Sequence, residues 1–263
     1  MSSCRHIEAA KRRLSTLGDS PPRSVVGTGS GSRVRFTGAV TESSSGAAPE
    51  PARSGARGTV AALLAAGEGR RFGGVGHKLL AELPATDDRP AETVIARSLA
   101  SVIAARAASD PAPLDAVIIV TGAADLGDVV RHVDDVQLVH NERWAQGQAT
   151  SVQRAIRAAD ELGADIVVIG LADQPDVAGD TWRAVAAAAL EPDAAPVTVA
   201  TYDGKPRNPV ALHRSVWPLL PTEGDSGARD LVRFRPDLVR PVPSSGSPAD
   251  IDTVEDLSRW LNS

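Results

Sequence analysis

From Thr59 onward the chain alternates short apolar runs with longer amphipathic stretches, and this alternation constrains the fold more than any other feature. Thr59–Leu64, Ala116–Val120, Val136–His140, Ile166–Leu171 and Val197–Thr201 are rich in Val and Ile and are expected to be buried strands. Helical patterns lie between them at Glu92–Arg106, Asp125–Arg131, Ala149–Leu162 and Thr181–Leu190. Strands that alternate with helices imply β-α-β units and a mainly parallel sheet covered on both faces. The last third is more mixed, with a strand near Pro209–Leu212, helices near Ser226–Phe234 and Val254–Leu261, and a strand at Leu238–Val242. The expectation is one three-layer α/β domain over residues 58–263.

The residues before it read differently. From Ser15 to Gly58 the chain is dominated by Ser, Gly, Pro and Arg, with little apolar surface to offset the entropy of ordering. A short helix is expected at His6–Leu17, where Ile7, Ala10 and Leu14 share a face. Gly27-Thr28-Gly29-Ser30-Gly31 has the look of a phosphate loop, but no strand precedes it and no helix follows, so a linker is the better reading. Residues 1–57 are therefore expected to be a flexible leader.

Bulk properties narrow the function. A net charge of −5 argues against general nucleic-acid binding, and 3% aromatic residues leave few stacking platforms for single strands. Cys4 is the one cysteine, so neither an internal disulfide nor a thiolate zinc site is available, which fits a reducing cytoplasm. No apolar run approaches the roughly 20 residues that span a bilayer. The basic N-terminus lacks the apolar core of a secretory signal. A monomer without membrane or nucleic-acid partners is expected.

In an open α/β sheet, ligands bind beyond the carboxyl ends of the strands. The segment after the first strand, Ala65–Lys78, is loaded with glycine and carries Arg71 and Lys78. Glycines let backbone N–H groups approach phosphate oxygens, and the two cations suit a triphosphate. Two familiar loops are excluded. The dinucleotide fingerprint needs a third glycine where Phe72 stands, and a Walker A loop needs Gly-Lys followed by Ser or Thr, where this chain has His77-Lys78-Leu79.

The run Leu64-Ala65-Ala66-Gly67-Glu68-Gly69-Arg70-Arg71-Phe72-Gly73, followed by Lys78, resembles the first motif of the MobA-like nucleotidyltransferases, and among them the molybdenum cofactor cytidylyltransferase (MocA-like) branch most. Later segments resemble that family in the same order. They are Asn141-Glu142-Arg143-Trp144-Ala145-Gln146-Gly147 before a helix, Gly170-Leu171-Ala172-Asp173-Gln174-Pro175, Asn208-Pro209-Val210, Gly224-Asp225-Ser226-Gly227-Ala228-Arg229 and Asp250-Ile251-Asp252-Thr253-Val254-Glu255-Asp256. Val254 replaces the usual proline of the closing motif, and Leu171-Ala172 are inserted before the aspartate. The resemblance covers about Thr59 to Leu261 and implies a Rossmann-like nucleotidyltransferase domain.

The resemblance also implies roles. Leu64, Ala65, Ala66, Gly67 and Gly69 would wrap a nucleoside triphosphate, with Arg71 and Lys78 on its phosphates. Asp173 and Asp252 would hold Mg2+, with Asp250 a weaker candidate, and Gly147, Ser151, Asn208 and Asp225 would face the acceptor. Arg71, Lys78 and Asp173 would be the catalytic set. Residue chemistry agrees, because an acceptor phosphate is already a nucleophile and the enzyme need only align two anions and neutralise the leaving pyrophosphate. Magnesium keeps several waters and needs only one or two carboxylates. A second role stays open for several of these: Asp173 as a turn residue, Asp252 or Ser151 as a helix cap, and Asp225 with Arg229 as a helix-start pair.

CTP and molybdopterin carrying molybdenum are the substrates that the resemblance implies, with molybdenum hydroxylases or their chaperones as partners. Ala66, where guanylyl-transferring relatives have glycine, favours the smaller base, although one methyl discriminates by only about 1–3 kcal/mol. GTP, another phosphorylated acceptor, and a non-catalytic nucleotide-binding chaperone are the alternatives. His6, His77, His132, His140 and His213 show no metal-ligand spacing. Trp182, Trp217 and Trp260 read as packing residues, whereas Trp144 sits in a segment that could face the acceptor.

Overall fold

Seven strands form one sheet in the order β5-β4-β1-β6-β8-β7-β9. In this computed structural model the described residues are 58–85, 90–107, 113–130, 133 and 136–262. The leader expected at residues 1–57, with its short helix, lies outside them. The strands are β1 (Gly58–Ala65), β4 (Ala116–Thr121), β5 (Val136–His140), β6 (Ala164–Leu171), β7 (Val197–Tyr202), β8 (Lys205–His213) and β9 (Val239–Pro243). A separate two-stranded ribbon joins β2 (Glu82–Leu83) to β3 (Glu92–Thr93). The helices are α1 (Val94–Ala107), α2 (Gly127–Val130), α3 (Gln148–Glu161), α4 (Gly179–Leu190), α5 (Arg229–Phe234) and α6 (Val254–Trp260).

The central strand explains the layering. Ala61, Leu63 and Ala65 of β1 face a cluster with Ile95, Leu99 and Val102 of α1 and Trp182 and Val185 of α4. Val60, Ala62 and Leu64 face the opposite cluster, with Val152, Ala155 and Ile156 of α3 and Trp217. Both faces are therefore apolar, which is why β1 reads as a continuous apolar run and not as an alternating one. Gly170 in β6 meets the Trp182 ring so closely that a Cβ there would lie 2.5 Å from it. A glycine is needed at that contact.

β1 pairs in parallel with β4 and β6, and β4 with β5. Only β8 runs against its neighbours, as the return limb of a hairpin from β7. Its two-residue turn has positive φ at both Asp203 (50°) and Gly204 (73°), the twist that a tight hairpin requires. β8 thus begins at Lys205, earlier than the strand expected near Pro209. The helix expected at Asp125–Arg131 is a single turn, Gly127–Val130, with the Asp125 carboxylate accepting from the Gly127 N–H. The sheet ends that matter are on one edge: Ala65 lies level with Thr121, and Leu64 with Leu171. The chain leaves all three strands there, into the glycine-rich loop, Gly122 and Ala172-Asp173.

Candidate active site

The loop after β1 is anchored at both ends. The Phe72 N–H donates to the Gly69 carbonyl at 2.9 Å, closing a turn with Gly69 at φ 68°, and the Phe72 ring is buried in the core. His77 ties the loop to its base. Its Nδ1 accepts from the Leu79 N–H at 3.2 Å, which leaves the proton on Nε2 to donate to the Gly67 carbonyl at 2.8 Å. A Cβ at Gly67 would meet nothing within 4 Å, so internal packing does not demand that glycine. Ala66 is buried, and its methyl and carbonyl crowd Gly122, where any Cβ would collide with Ala66 and Trp144.

Lys78 follows, and its ammonium joins the two expected metal carboxylates. Its Nζ donates to Asp173 Oδ2 at 2.5 Å and to Asp252 Oδ1 at 2.7 Å. Arg71 reaches the other oxygen of Asp252 at 2.8 Å, from a largely exposed position. Lys78 is only 8% exposed, and a lysine so buried must be paired. Burial alone would lower its pKa. The attraction and hydrogen bonds of Asp173, joined by those of Asp252, outweigh that and hold it above the ordinary range. Residues from three distant parts of the chain thus meet at the carboxyl edge of the sheet.

Local structure places each aspartate. Asp173 lies two residues past the end of β6, and its carbonyl accepts from the Ile251 N–H at 2.9 Å, which draws the 250–252 segment alongside. Asp252 is not the cap of α6. Thr253 is, in a capping box with Asp256, so the Asp252 carboxylate is left to Lys78 and Arg71. Asp173 Oδ1 is buried without a hydrogen-bond partner. Such an atom costs free energy unless something supplies charge or a proton to it, and a divalent cation fits that need and the all-oxygen donor set. Among the described residues no group of three or more His, Cys, Asp or Glu has metal-site geometry, so the fit rests on this carboxylate pair.

Gln174 was not anticipated from the sequence. Its side-chain N–H groups donate to Asp250 Oδ1 at 2.7 Å and to the Pro248 carbonyl at 3.0 Å, and its Oε1 accepts from Asn208 at 3.4 Å. Burial and the nearby Asp173 charge raise the Asp250 pKa against the lowering effect of the Gln174 hydrogen bond. The position of Gln174 beside Asp173 was the available signal. Asn208 and Asp250, with Leu64, line a cavity of about 690 Å³.

The other residues expected to face the acceptor, Gly147, Ser151 and Asp225, are not part of that cavity's lining. Gly147, at φ 103°, is wrapped by the Gly224–Asp225 segment: the Gly224 N–H donates to the Gln146 carbonyl, and the Ala149 N–H donates to the Gly224 carbonyl. The Asp225 carboxylate lies against Gly147, and no ion pair joins it to Arg229 among the described residues. Ser151 is buried and its Oγ accepts from Asn141 at 3.0 Å, as Thr150 Oγ1 does at 2.9 Å. Asn141 therefore pins the segment before α3 to the helix. Of the expected residues, Arg71, Lys78, Asp173 and Asp252 form one linked group, Gly147 and Asp225 touch each other, and Ser151 faces the interior.

A mainly parallel α/β sheet that carries a cationic glycine loop and paired carboxylates at its carboxyl edge has them where open α/β sheets bind ligands. Residues 61–240 match the family model of the MobA-like NTP transferase domain, and the chain belongs to that family. It is 35% identical over 115 residues to the purine catabolism protein PucB of Bacillus subtilis (strain 168), a match that covers 42% of this chain and 54% of PucB. The chain thus spans about half the length of that curated relative. Rv0371c of Mycobacterium tuberculosis H37Rv superposes with a TM-score of 0.61 at 27% identity, over 80% of this chain and 100% of that one. A manganese complex of Rv0371c gives 0.58 at 26% identity, over 78% and 99%. A nucleotidyl transferase from Methanothermobacter thermautotroptrophicus shares the fold, with a TM-score of 0.63 at 24% identity over 79% and 97%.

Proposed function

We propose that the chain transfers a nucleoside monophosphate, CMP from CTP, to the phosphate of molybdenum-bearing molybdopterin. The observation that carries this reading is the Lys78 ammonium held between Asp173 and Asp252 beneath the glycine loop. An acceptor phosphate oxygen forms a bond to the α-phosphorus, the bond from that phosphorus to the α,β-bridging oxygen breaks, and pyrophosphate leaves with the electron pair. Lys78 meets the charge that develops on the phosphates, while Arg71, exposed and hinged on Asp252, follows the departing pyrophosphate. Gly67 and Gly69 present backbone to the triphosphate, and the open space at Gly67 leaves room for its approach. Asp173 and Asp252 are the residues that would hold Mg2+, which when bound supplies further charge neutralisation on the phosphate oxygens.

The cavity that Leu64 lines is the acceptor subsite, and Asn208 and Asp225 belong to its side of the site. Ala66 narrows the base end, which favours cytosine. The catalytic unit is residues 58–263, acting as a cytoplasmic monomer, with residues 1–57 as a dispensable leader. No helix among the described residues is long and apolar enough to cross a membrane. The test is pyrophosphate release with magnesium, molybdenum-loaded molybdopterin and each nucleoside triphosphate in turn. CTP should exceed GTP; the reverse order overturns the cytidine assignment, and no turnover with any acceptor favours a binding module.

A further inference from the structure

The cavity that Leu64 lines carries more positive charge than one acceptor phosphate needs. Arg207 stands on one wall at the start of β8, and Arg229 and Arg233 stand on another, one helical turn apart on α5. Residues four apart on a helix share a face, so the two α5 arginines open on the same space. Several arginines elsewhere are paired with carboxylates: Arg97 with Glu92, Arg214 with Asp160 and Asp165, and Arg240 with Glu191. The three cavity arginines have no carboxylate at ion-pair distance among the described residues. Arg207 donates only to the Pro206 carbonyl, and the Arg233 guanidinium lies over the Phe234 ring at 5.3 Å, a contact that leaves its charge in place. Asp250, at the Lys78 end, is the one acidic residue of the lining. The three arginines therefore outnumber the one carboxylate of the lining, and none pairs with it.

We propose that Arg207 and Arg233 bind a second oxyanion group of the acceptor, separate from the phosphate that attacks the nucleotide, with Arg229 beside them. Guanidinium groups match the planar, bidentate geometry of oxyanions, and three of them around one space favour an acceptor with anionic groups at both ends. This specificity assignment rests on the reading of the cavity as the acceptor subsite. It makes both arginines positioning residues that orient the acceptor while the nucleotide loop stays independent of them.

The probe is inorganic phosphate, titrated calorimetrically into the full chain saturated with α,β-methylene CTP and magnesium. Arg207→Gln/Arg233→Gln should weaken phosphate binding about ten-fold or more, since charge-assisted hydrogen bonds are lost. Arg207→Lys/Arg233→Lys should recover part of that loss, and the affinity for the CTP analogue should stay within about two-fold of wild type in both variants. Near-ultraviolet circular dichroism checks that the variants fold. Equal phosphate affinity in wild type and the Gln variant, no phosphate binding by wild type, or a parallel loss of analogue affinity each overturns the proposal. Because the titration needs no turnover, its failure is distinguishable from failure of the transfer reading, which pyrophosphate release reports.

Discussion

Lys78→Met removes the ammonium that separates Asp173 from Asp252 while keeping the length of the side chain. Breaking a buried ion pair by deleting one partner costs about 3–5 kcal/mol, because the other charge is left uncompensated. Here the side chains of Asp173 and Asp252 retain 18% and 22% exposure, and Arg71 still holds one oxygen of Asp252. Water and that arginine absorb part of the loss, so the expected cost is about 2 kcal/mol. For a chain of this size that lowers Tm by roughly 4–8 °C. Magnesium should then act as the missing cation, and a ligand at a hundred times its Kd contributes about 2.7 kcal/mol. Thermal and urea unfolding of both proteins, with chelator and with magnesium, reads the effect. The variant should be the less stable in chelator and should gain more from magnesium than wild type does. A variant as stable as wild type in chelator, or one indifferent to magnesium, refutes the view that these carboxylates repel one another around a cation site.

Other consequences are local. Asp173→Asn should abolish nucleotidyl transfer while the circular dichroism stays that of wild type; Lys78 is left with Asp252 alone, so Tm should fall by a few degrees, and retained turnover would remove Asp173 from the mechanism. Gly170→Ala forces a methyl against the Trp182 ring and should cost about 1–3 kcal/mol in urea unfolding; a neutral result would mean that α4 moves away without penalty. Thr253→Ala removes the cap of α6 and should cost about 1 kcal/mol, with Asp252 released from its fixed approach to Lys78. Deleting residues 1–57 should leave transfer rates unchanged, and an inactive truncation would make the leader part of the enzyme.

The strands near the site were legible because buried parallel strands must be apolar on both faces, as β1 and β6 are. The reversal of β8 was written in Asp203-Gly204, but the short apolar stretch around Pro209 drew the strand boundary later than the hairpin sets it. Lys78, Asp173 and Asp252 were identifiable as residue types at motif positions. Their direct contact was not, because 174 positions of chain separate Lys78 from Asp252, and it takes the Ile251 backbone hydrogen bond to Asp173 and the Gln174 hydrogen bond to Asp250 to draw the closing segment in. His77 and Gln174 escaped for a related reason. Each acts through neighbouring backbone or a network, and the one signal for Gln174 was its place beside Asp173. The cavity arginines likewise become a group only when α5 and β8 line one cavity.

The central claim is that the chain moves the α-phosphoryl group of a nucleotide, with its nucleoside, onto an acceptor phosphate. Single-turnover reactions with CTP radiolabelled either at the α- or at the γ-phosphate, with molybdenum-loaded molybdopterin in excess, test it most directly. The account predicts that α-label passes to the acceptor while γ-label is released as pyrophosphate. Transfer of γ-label to the acceptor, or release of γ-label as free phosphate with no change in the acceptor, contradicts it.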